Sequence, residues 1–128
     1  MLLKAAFPVD ICADRAQYDI QFGSIARDTH TNTSWDEARF EVCAHKWADL
    51  SEPGYGAALL NDGRYGYDVH DGVLRLSRTA AATLPGPHAD QGPTTLPMRL
   101  LPHLGDWRQG GVIPAGYDLN APALPLAV

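Results

Sequence analysis

Twelve glycines and ten prolines are spread through 128 residues and cut the chain into pieces too short for helices of ordinary length. Strands tolerate this punctuation, because about four to eight residues between turns are enough to make one. The fold predicted is therefore all-β and mainly antiparallel, with at most one short helix near the C-terminus. The length suits one domain over residues 1–128 with one hydrophobic core.

Side-chain periodicity places the strands. Ala16 to Phe22 alternates, with Tyr18, Ile20 and Phe22 on one side and Gln17, Asp19 and Gln21 on the other. Arg39 to His45 repeats the pattern with Phe40, Val42 and Ala44. Tyr55 to Leu60 is a nearly continuous apolar run, as in a central strand, and Asn61-Asp62-Gly63 offers left-handed positions for a reversal into Tyr65 to Val69. His70-Asp71-Gly72 reverses the chain again into Val73 to Ser77, which predicts a three-stranded meander with the turn spacing of a sandwich or barrel. Leu2 to Val9 and Met98 to His103 read as the first and a late strand.

Thr79 to Pro97 carries Pro85, Pro87, Pro93 and Pro97 without an apolar period and is predicted to be a long surface loop. Asp106 is placed to cap a helix of one or two turns from Trp107, with Gly110, Gly111, Pro114 and Gly116 arguing against greater length.

A net charge of −5 repels phosphate, so neither nucleic acid nor an anionic membrane is an expected partner. Cys12 and Cys43 form no CxxC pair and are read as small packing residues in a reducing compartment. No apolar stretch approaches the roughly 18 residues of a spanning helix, and Lys4 interrupts Met1-Leu2-Leu3 too early for a signal segment. A soluble, cytoplasmic protein is expected.

No local motif declares a reaction. His88-Ala89-Asp90 and the pair Asp28 and His30 each offer two metal ligands, short of the three a zinc site takes from protein, and both read more simply as solvated loop residues. Ser24 lies in no G-x-S-x-G elbow, and there is no Gly-rich phosphate cradle or basic stripe. Asp36 with Glu37 and Asp49 with Glu52 are carboxylate pairs only by proximity in sequence, whereas glycoside chemistry depends on separation in space. Asn32-Thr33-Ser34 is a formal glycosylation sequon that carries little weight without an export signal. Trp35, Trp47, Tyr55, Tyr65, Tyr67 and Trp107 are suited to stacking on sugar rings, although core packing accounts for them more simply.

Longer stretches carry a resemblance. The run from Thr29 to Val42, which includes Asn32-Thr33-Ser34-Trp35-Asp36, is followed by His45-Lys46-Trp47-Ala48-Asp49-Leu50-Ser51-Glu52. With Tyr18 to Gly23, Ala58 to Asp62, Tyr65-Gly66-Tyr67, Val73 to Ser77 and Leu101-Pro102-His103, it resembles the C-terminal β-domain of glycoside hydrolase family 38 α-mannosidases of the cytosolic type. The likeness covers nearly the whole chain.

That resemblance implies a β-sandwich packed behind an N-terminal catalytic domain and a helical middle domain of the same enzyme. The family hydrolyses terminal α-mannosidic bonds with retention, using an aspartate nucleophile, a carboxylate acid/base and a divalent metal, usually zinc. Those groups belong to the N-terminal domain, which this chain lacks, so no catalytic residue, metal ligand or cofactor is assigned to any position here. The α-mannoside is met only through the full enzyme. The loop Asp90-Gln91-Gly92 is the expected point of approach to substrate, although Pro93-Thr94-Thr95-Leu96-Pro97 departs from the family pattern just beyond it. Two other readings stand beside this one. The first is an independent carbohydrate-binding sandwich in which Trp35 or Tyr67 stacks on a glycan, and the second is an interaction domain with a bare apolar patch for a partner.

Overall fold

The computed structural model describes residues 2–80, 92–93 and 95–125. In chain order the elements are β1 (Leu2–Pro8), β2 (Arg15–Ile20), β3 (Gly23–Asp28), α1 (Ser34–Glu37), β4 (Val42–Cys43), β5 (Trp47–Glu52) and β6 (Tyr55–Asn61). There follow β7 (Gly66–His70), β8 (Val73–Ala80), β9 (Met98–Leu104) and α2 (Val112–Asn120). Antiparallel pairing sorts the strands into a four-stranded sheet, β1-β8-β7-β4, and a five-stranded sheet, β3-β2-β5-β6-β9. The mainly antiparallel all-β class predicted from the punctuation, and the sandwich implied by the family resemblance, are the observed architecture.

The core lies between the sheets and follows from alternation. Ala16 and Tyr18 of β2, Ala48 and Leu50 of β5, and Ala57 and Leu59 of β6 face Tyr67 and Val69 of β7 and Leu74 and Leu76 of β8. Each fully buried leucine among them contributes about 1.5–3 kcal/mol relative to exposure. A second, smaller cluster occupies the other face of the five-stranded sheet, where Trp47, Ala58 and Leu60 meet Val112 of α2. The continuous run in β6 is thereby explained: its odd positions face the opposite sheet and its even positions face the helix.

Helix α2 begins later than the sequence predicts and runs longer. Asp106 does cap, but it caps the turn before the helix, accepting from the Arg108 and Gln109 amides at 2.9 Å each. Gly111, left-handed at φ 69°, is the N-cap of α2. Pro114 is harmless because it sits in the first turn, where backbone amides have no intrahelical partner. Val112, Ala115, Gly116 and Leu119 form the stripe on the sheet. Gly116 permits close approach, since a Cβ there would stand 2.9 Å from Trp47 Cδ1.

Five further expectations are corrected. β2 stops at Ile20, and Phe22 leaves the alternation for the hairpin turn into β3, at φ 61° and fully exposed. Arg39 to His45 contains only the two-residue β4, and Phe40 is 71% exposed. Just upstream, the Thr33 hydroxyl accepts from the Asp36 amide while the Asp36 carboxylate accepts from the Thr33 amide, a reciprocal cap that nucleates the single-turn α1.

The meander is also divided. β6 and β7 belong to different sheets, so Asn61-Asp62-Gly63 carries the chain across the sandwich, whereas Asp71 and Gly72, both left-handed, close a type I′ hairpin between β7 and β8. Thr79 and Ala80 extend β8 beyond the expected loop boundary, and most of the remaining Thr79–Pro97 stretch lies outside the described residues. Finally, Cys12 and Cys43 are both exposed and therefore are not packing residues.

The outward face of the four-stranded sheet is polar and tied together by charge. Asp68 accepts from Lys4 Nζ at 2.7 Å and Arg75 at 2.8 Å, Lys4 also pairs with Glu41 at 3.0 Å, and Ser77 donates to Glu41 at 2.8 Å. Desolvation pushes the Asp68 carboxyl upward, but the hydrogen bonds from Lys4 and Arg75 outweigh it and hold the carboxyl below the usual range. A carboxyl depressed in the folded state contributes stability above its unfolded value of about 3.9, and that stability is lost as pH falls through the folded value. The melting temperature is expected to fall below pH 4 with a slope that Asp68→Asn flattens; equal slopes in both proteins would contradict this assignment.

Candidate functional site

A groove of about 430 Å³ opens on the helix-bearing side of the five-stranded sheet, lined by Asp19, Phe22, Lys46, Trp107, Ile113 and Tyr117. Three separate elements build it. The β2–β3 turn supplies Phe22, the entry to β5 supplies Lys46, and the first two turns of α2 supply Ile113 and Tyr117.

Polar bonds hold the inner wall. Lys46 donates to Asp19 Oδ2 from its amide at 3.0 Å and from Nζ at 2.9 Å, while the His45 amide reaches the Asp19 carbonyl at 3.0 Å. Lys46 Nζ also stands 4.8 Å from the centre of the Tyr117 ring, a cation–π contact that fixes the ammonium between a carboxylate and an aromatic face. Asn61 backs this wall, accepting nothing from Lys46 but donating its amide to the Lys46 carbonyl at 3.0 Å and its side chain to the His45 carbonyl at 3.1 Å. Its side chain also donates to the Tyr67 hydroxyl in the core. Asn120 closes the far end by donating to the carbonyls of Asn61 and Gly116, at 2.9 Å each.

Beside the groove, Trp107 stacks on buried Trp47 at 5.3 Å between ring centres, and the Arg108 guanidinium covers Trp107 at 4.1 Å. A second polar cluster lies on the same side of the sheet. His103 Nε2 is 2.7 Å from Asp49 Oδ1, the Ser51 hydroxyl donates to Asp49 Oδ2, and the Asp49 and His103 side chains are 1% and 2% exposed. Burial outweighs the hydrogen bonds from Ser51 and His103 and raises the Asp49 carboxyl above the usual range. With the carboxylate between serine and histidine, the imidazole does not reach the hydroxyl, so the order differs from that of a Ser-His-Asp triad.

The residues singled out in the sequence are dispersed. Asp90 and Gln91, together with His88, lie outside the described residues, and Gly92 is exposed at φ 119°. Asp28 pairs with Arg15 at 3.0 Å, and His30 Nδ1 is 3.6 Å from Asp36. The two carboxylate pairs have local partners instead of facing each other: Asp36 serves the α1 cap, Asp49 holds His103, and Glu52 accepts from the Cys12 amide at 2.9 Å. Among the described residues no three His, Cys, Asp or Glu side chains are grouped to hold a metal ion. Of the aromatics, Trp35 is 77% exposed, whereas Tyr67 is wholly buried and is unavailable for stacking on a glycan. Among the described residues no helix is long and apolar enough to cross a membrane.

The groove itself was not foreseen, because Asp19, Lys46 and Tyr117 are far apart in sequence and share no motif.

These features define a two-sheet antiparallel sandwich with one helix packed on the outer face of its five-stranded sheet. The fold is shared with the crystal structure of an alpha-mannosidase from Enterococcus faecalis V583, at a TM-score of 0.77 and 16% identity over 91% of this chain and 14% of that one. The model of the glycosyl hydrolases family 38 C-terminal domain matches residues 1–88, and the chain belongs to that family. It is 50% identical over 124 residues to human alpha-mannosidase 2C1 and 48% identical over 119 residues to alpha-mannosidase G of Dictyostelium discoideum. These alignments cover 97% and 93% of this chain but only 12% and 11% of the two relatives, so the chain spans a small fraction of their length.

Proposed function

We propose that residues 1–128 form a single, non-catalytic C-terminal domain of a retaining α-mannosidase that removes terminal α-mannosyl residues from oligosaccharides. Its partners on this reading are the catalytic and middle domains of the same enzyme, and its place is the cytoplasm. The observation that carries the reading is family membership combined with the small share of the relatives that the chain spans. The divalent metal expected of such an enzyme, usually zinc, belongs to the catalytic domain; the described residues of this chain offer no ligand group that fits it. The loop Asp90-Gln91-Gly92 is proposed to approach substrate at the domain junction.

In this role the sandwich acts by rigidity. Two packed sheets hold a surface against which a catalytic domain keeps its acid and nucleophile in register, and small displacements of such groups slow the reaction steeply. The purified chain, supplied with zinc or cobalt, is expected to release no aryl leaving group from an aryl α-mannoside. Removing the corresponding segment from a full-length relative is expected to lower turnover by at least about tenfold, roughly 1.4 kcal/mol of barrier. Metal-dependent turnover by the isolated chain, or undiminished turnover by the shortened relative, would overturn the proposal.

A further inference from the structure

We propose that the groove lined by Leu2, Phe40, Val42 and Tyr65, at the four-stranded sheet, is the surface against which the preceding polypeptide of the full enzyme packs an apolar stretch. This inference rests on the domain reading proposed above and names the face through which that role is exerted. The groove holds about 420 Å³, and Glu41, Cys43 and Gly66 complete its lining. Three large apolar side chains stand open in it: Leu2 is 54% exposed, Phe40 71% and Tyr65 56%. The Tyr65 ring is steadied by an edge contact with the His45 ring at 5.3 Å between centres, so one anchor is ordered before anything binds. Aliphatic and aromatic groups gathered in one hollow beside polar side chains mark a surface that another body covers.

Charge and connection identify the occupant. Beside the groove two cations and two carboxylates satisfy one another: Lys4 binds Glu41 at 3.0 Å and Asp68 at 2.7 Å, and Arg75 binds Asp68 at 2.8 Å. Glu41 also accepts from Ser77 at 2.8 Å, so its charge is already engaged and the contact the groove favours is apolar. Connection points to one source for that contact. The chain matches a C-terminal domain and a small fraction of human alpha-mannosidase 2C1, so on that reading the catalytic and middle domains precede this one and join it at β1. Leu2 opens β1 and lines the groove, and Leu3, the next residue of the strand, is 49% exposed. Polypeptide arriving at β1 is thereby delivered to the groove at high effective concentration. Among the described residues β1 pairs with β8 alone, and a sheet edge of this kind is protected by covering it.

Cys43 supplies the test, because it is exposed and lines the groove, whereas Cys12 is exposed beside the separate hollow that Val9, Asp10 and Asp14 line. The full-length human relative is prepared with its matching segment replaced by this chain, and the grafted enzyme and the free 128-residue chain are alkylated with iodoacetamide and mapped by peptide mass spectrometry. Cys43 is expected to react about tenfold more slowly in the graft than in the free chain, while Cys12 changes by less than about twofold. Phe40→Asp, at a position open to solvent, is expected to leave the melting temperature of the free chain unchanged and to restore Cys43 labelling in the graft. Equal labelling of Cys43 in the two forms would overturn the docking face, as would protection that survives Phe40→Asp. Labelling of Cys43 in the free chain that slows as protein concentration rises would give the groove to a second copy, which also overturns it. The supporting role is read separately, by turnover of the relative lacking this segment: if that enzyme is impaired while Cys43 stays reactive in the graft, the role stands and only its surface is wrong.

Discussion

Trp47→Ala is expected to lower the stability of this chain by about 3–5 kcal/mol, the range for removing a buried large aromatic. Trp47 is 2% exposed and forms the floor on which α2 rests. It meets Ala58, Leu60 and Val112, stacks on Trp107, and receives the backbone of Gly116 against its ring. Alanine would leave a cavity that neither the sheet nor a nine-residue helix can fill, because helices this short depend on tertiary packing for their existence. The loss should therefore spread beyond the cavity: α2 detaches, and the near-ultraviolet circular dichroism of the Trp47–Trp107 pair disappears. Leu59→Ala, cut from the core between the sheets, should cost about 2–5 kcal/mol and leave the Trp pair's signal intact in the folded protein. Urea unfolding of the three proteins measures this, and a loss below about 1 kcal/mol for Trp47→Ala would show that the helix stands without it.

The second large effect is expected at Asp49. Its carboxylate is the partner of both His103 and Ser51 in a place with almost no access to water. Removing one member of a buried, paired set leaves the others desolvated without compensation, which costs about 3–5 kcal/mol. Asp49→Ala should fall in that range. Asp49→Asn should cost clearly less, because an amide oxygen still accepts from Ser51 or His103. The ordering of the two variants in urea is the discriminating result, and equal losses would show that shape, not hydrogen bonding, matters at this position. The effect has a structural route outward, since His103 is covered by the turn at Gly110 that leads into α2.

Both effects sit on the side of the five-stranded sheet that sequence reading described least well. Alternation identified Tyr18 of β2 as inward, because one face of the strand is dry and a period of two reports that directly. It failed at Phe22, where the pattern continues but the strand does not. The hairpin turn takes Gln21 and Phe22 out of the sheet, and nothing in the hydrophobicity of Phe22 records that. Arg39 to His45 failed for the opposite reason. The reciprocal cap between Thr33 and Asp36 was present in the sequence as a T-x-x-D spacing, and it turns the chain into α1 and leaves only two residues to pair with β7.

The candidate groove was less legible than the fold. Asp19, Lys46 and Tyr117 lie on β2, at the start of β5 and on α2, so their approach depends on the order of strands in the sheet and on where the helix lands. Gly116 shows the difficulty in one residue. Propensity counts it against a helix, yet its missing side chain is what allows α2 to close on Trp47 and bring Tyr117 over Lys46.

Local chemistry alone was sufficient for the class of fold, most strand positions and the family likeness, because turn residues, two-residue periodicity and long motifs are properties of neighbours along the chain. Which sheet each strand joins, the crossing at Asn61, the docking of α2 and the groove it walls were decided only by packing. A turn signal states that the chain reverses, but the partner is chosen by the apolar surface left to cover, and that surface is assembled from residues as distant as Tyr18 and Leu76.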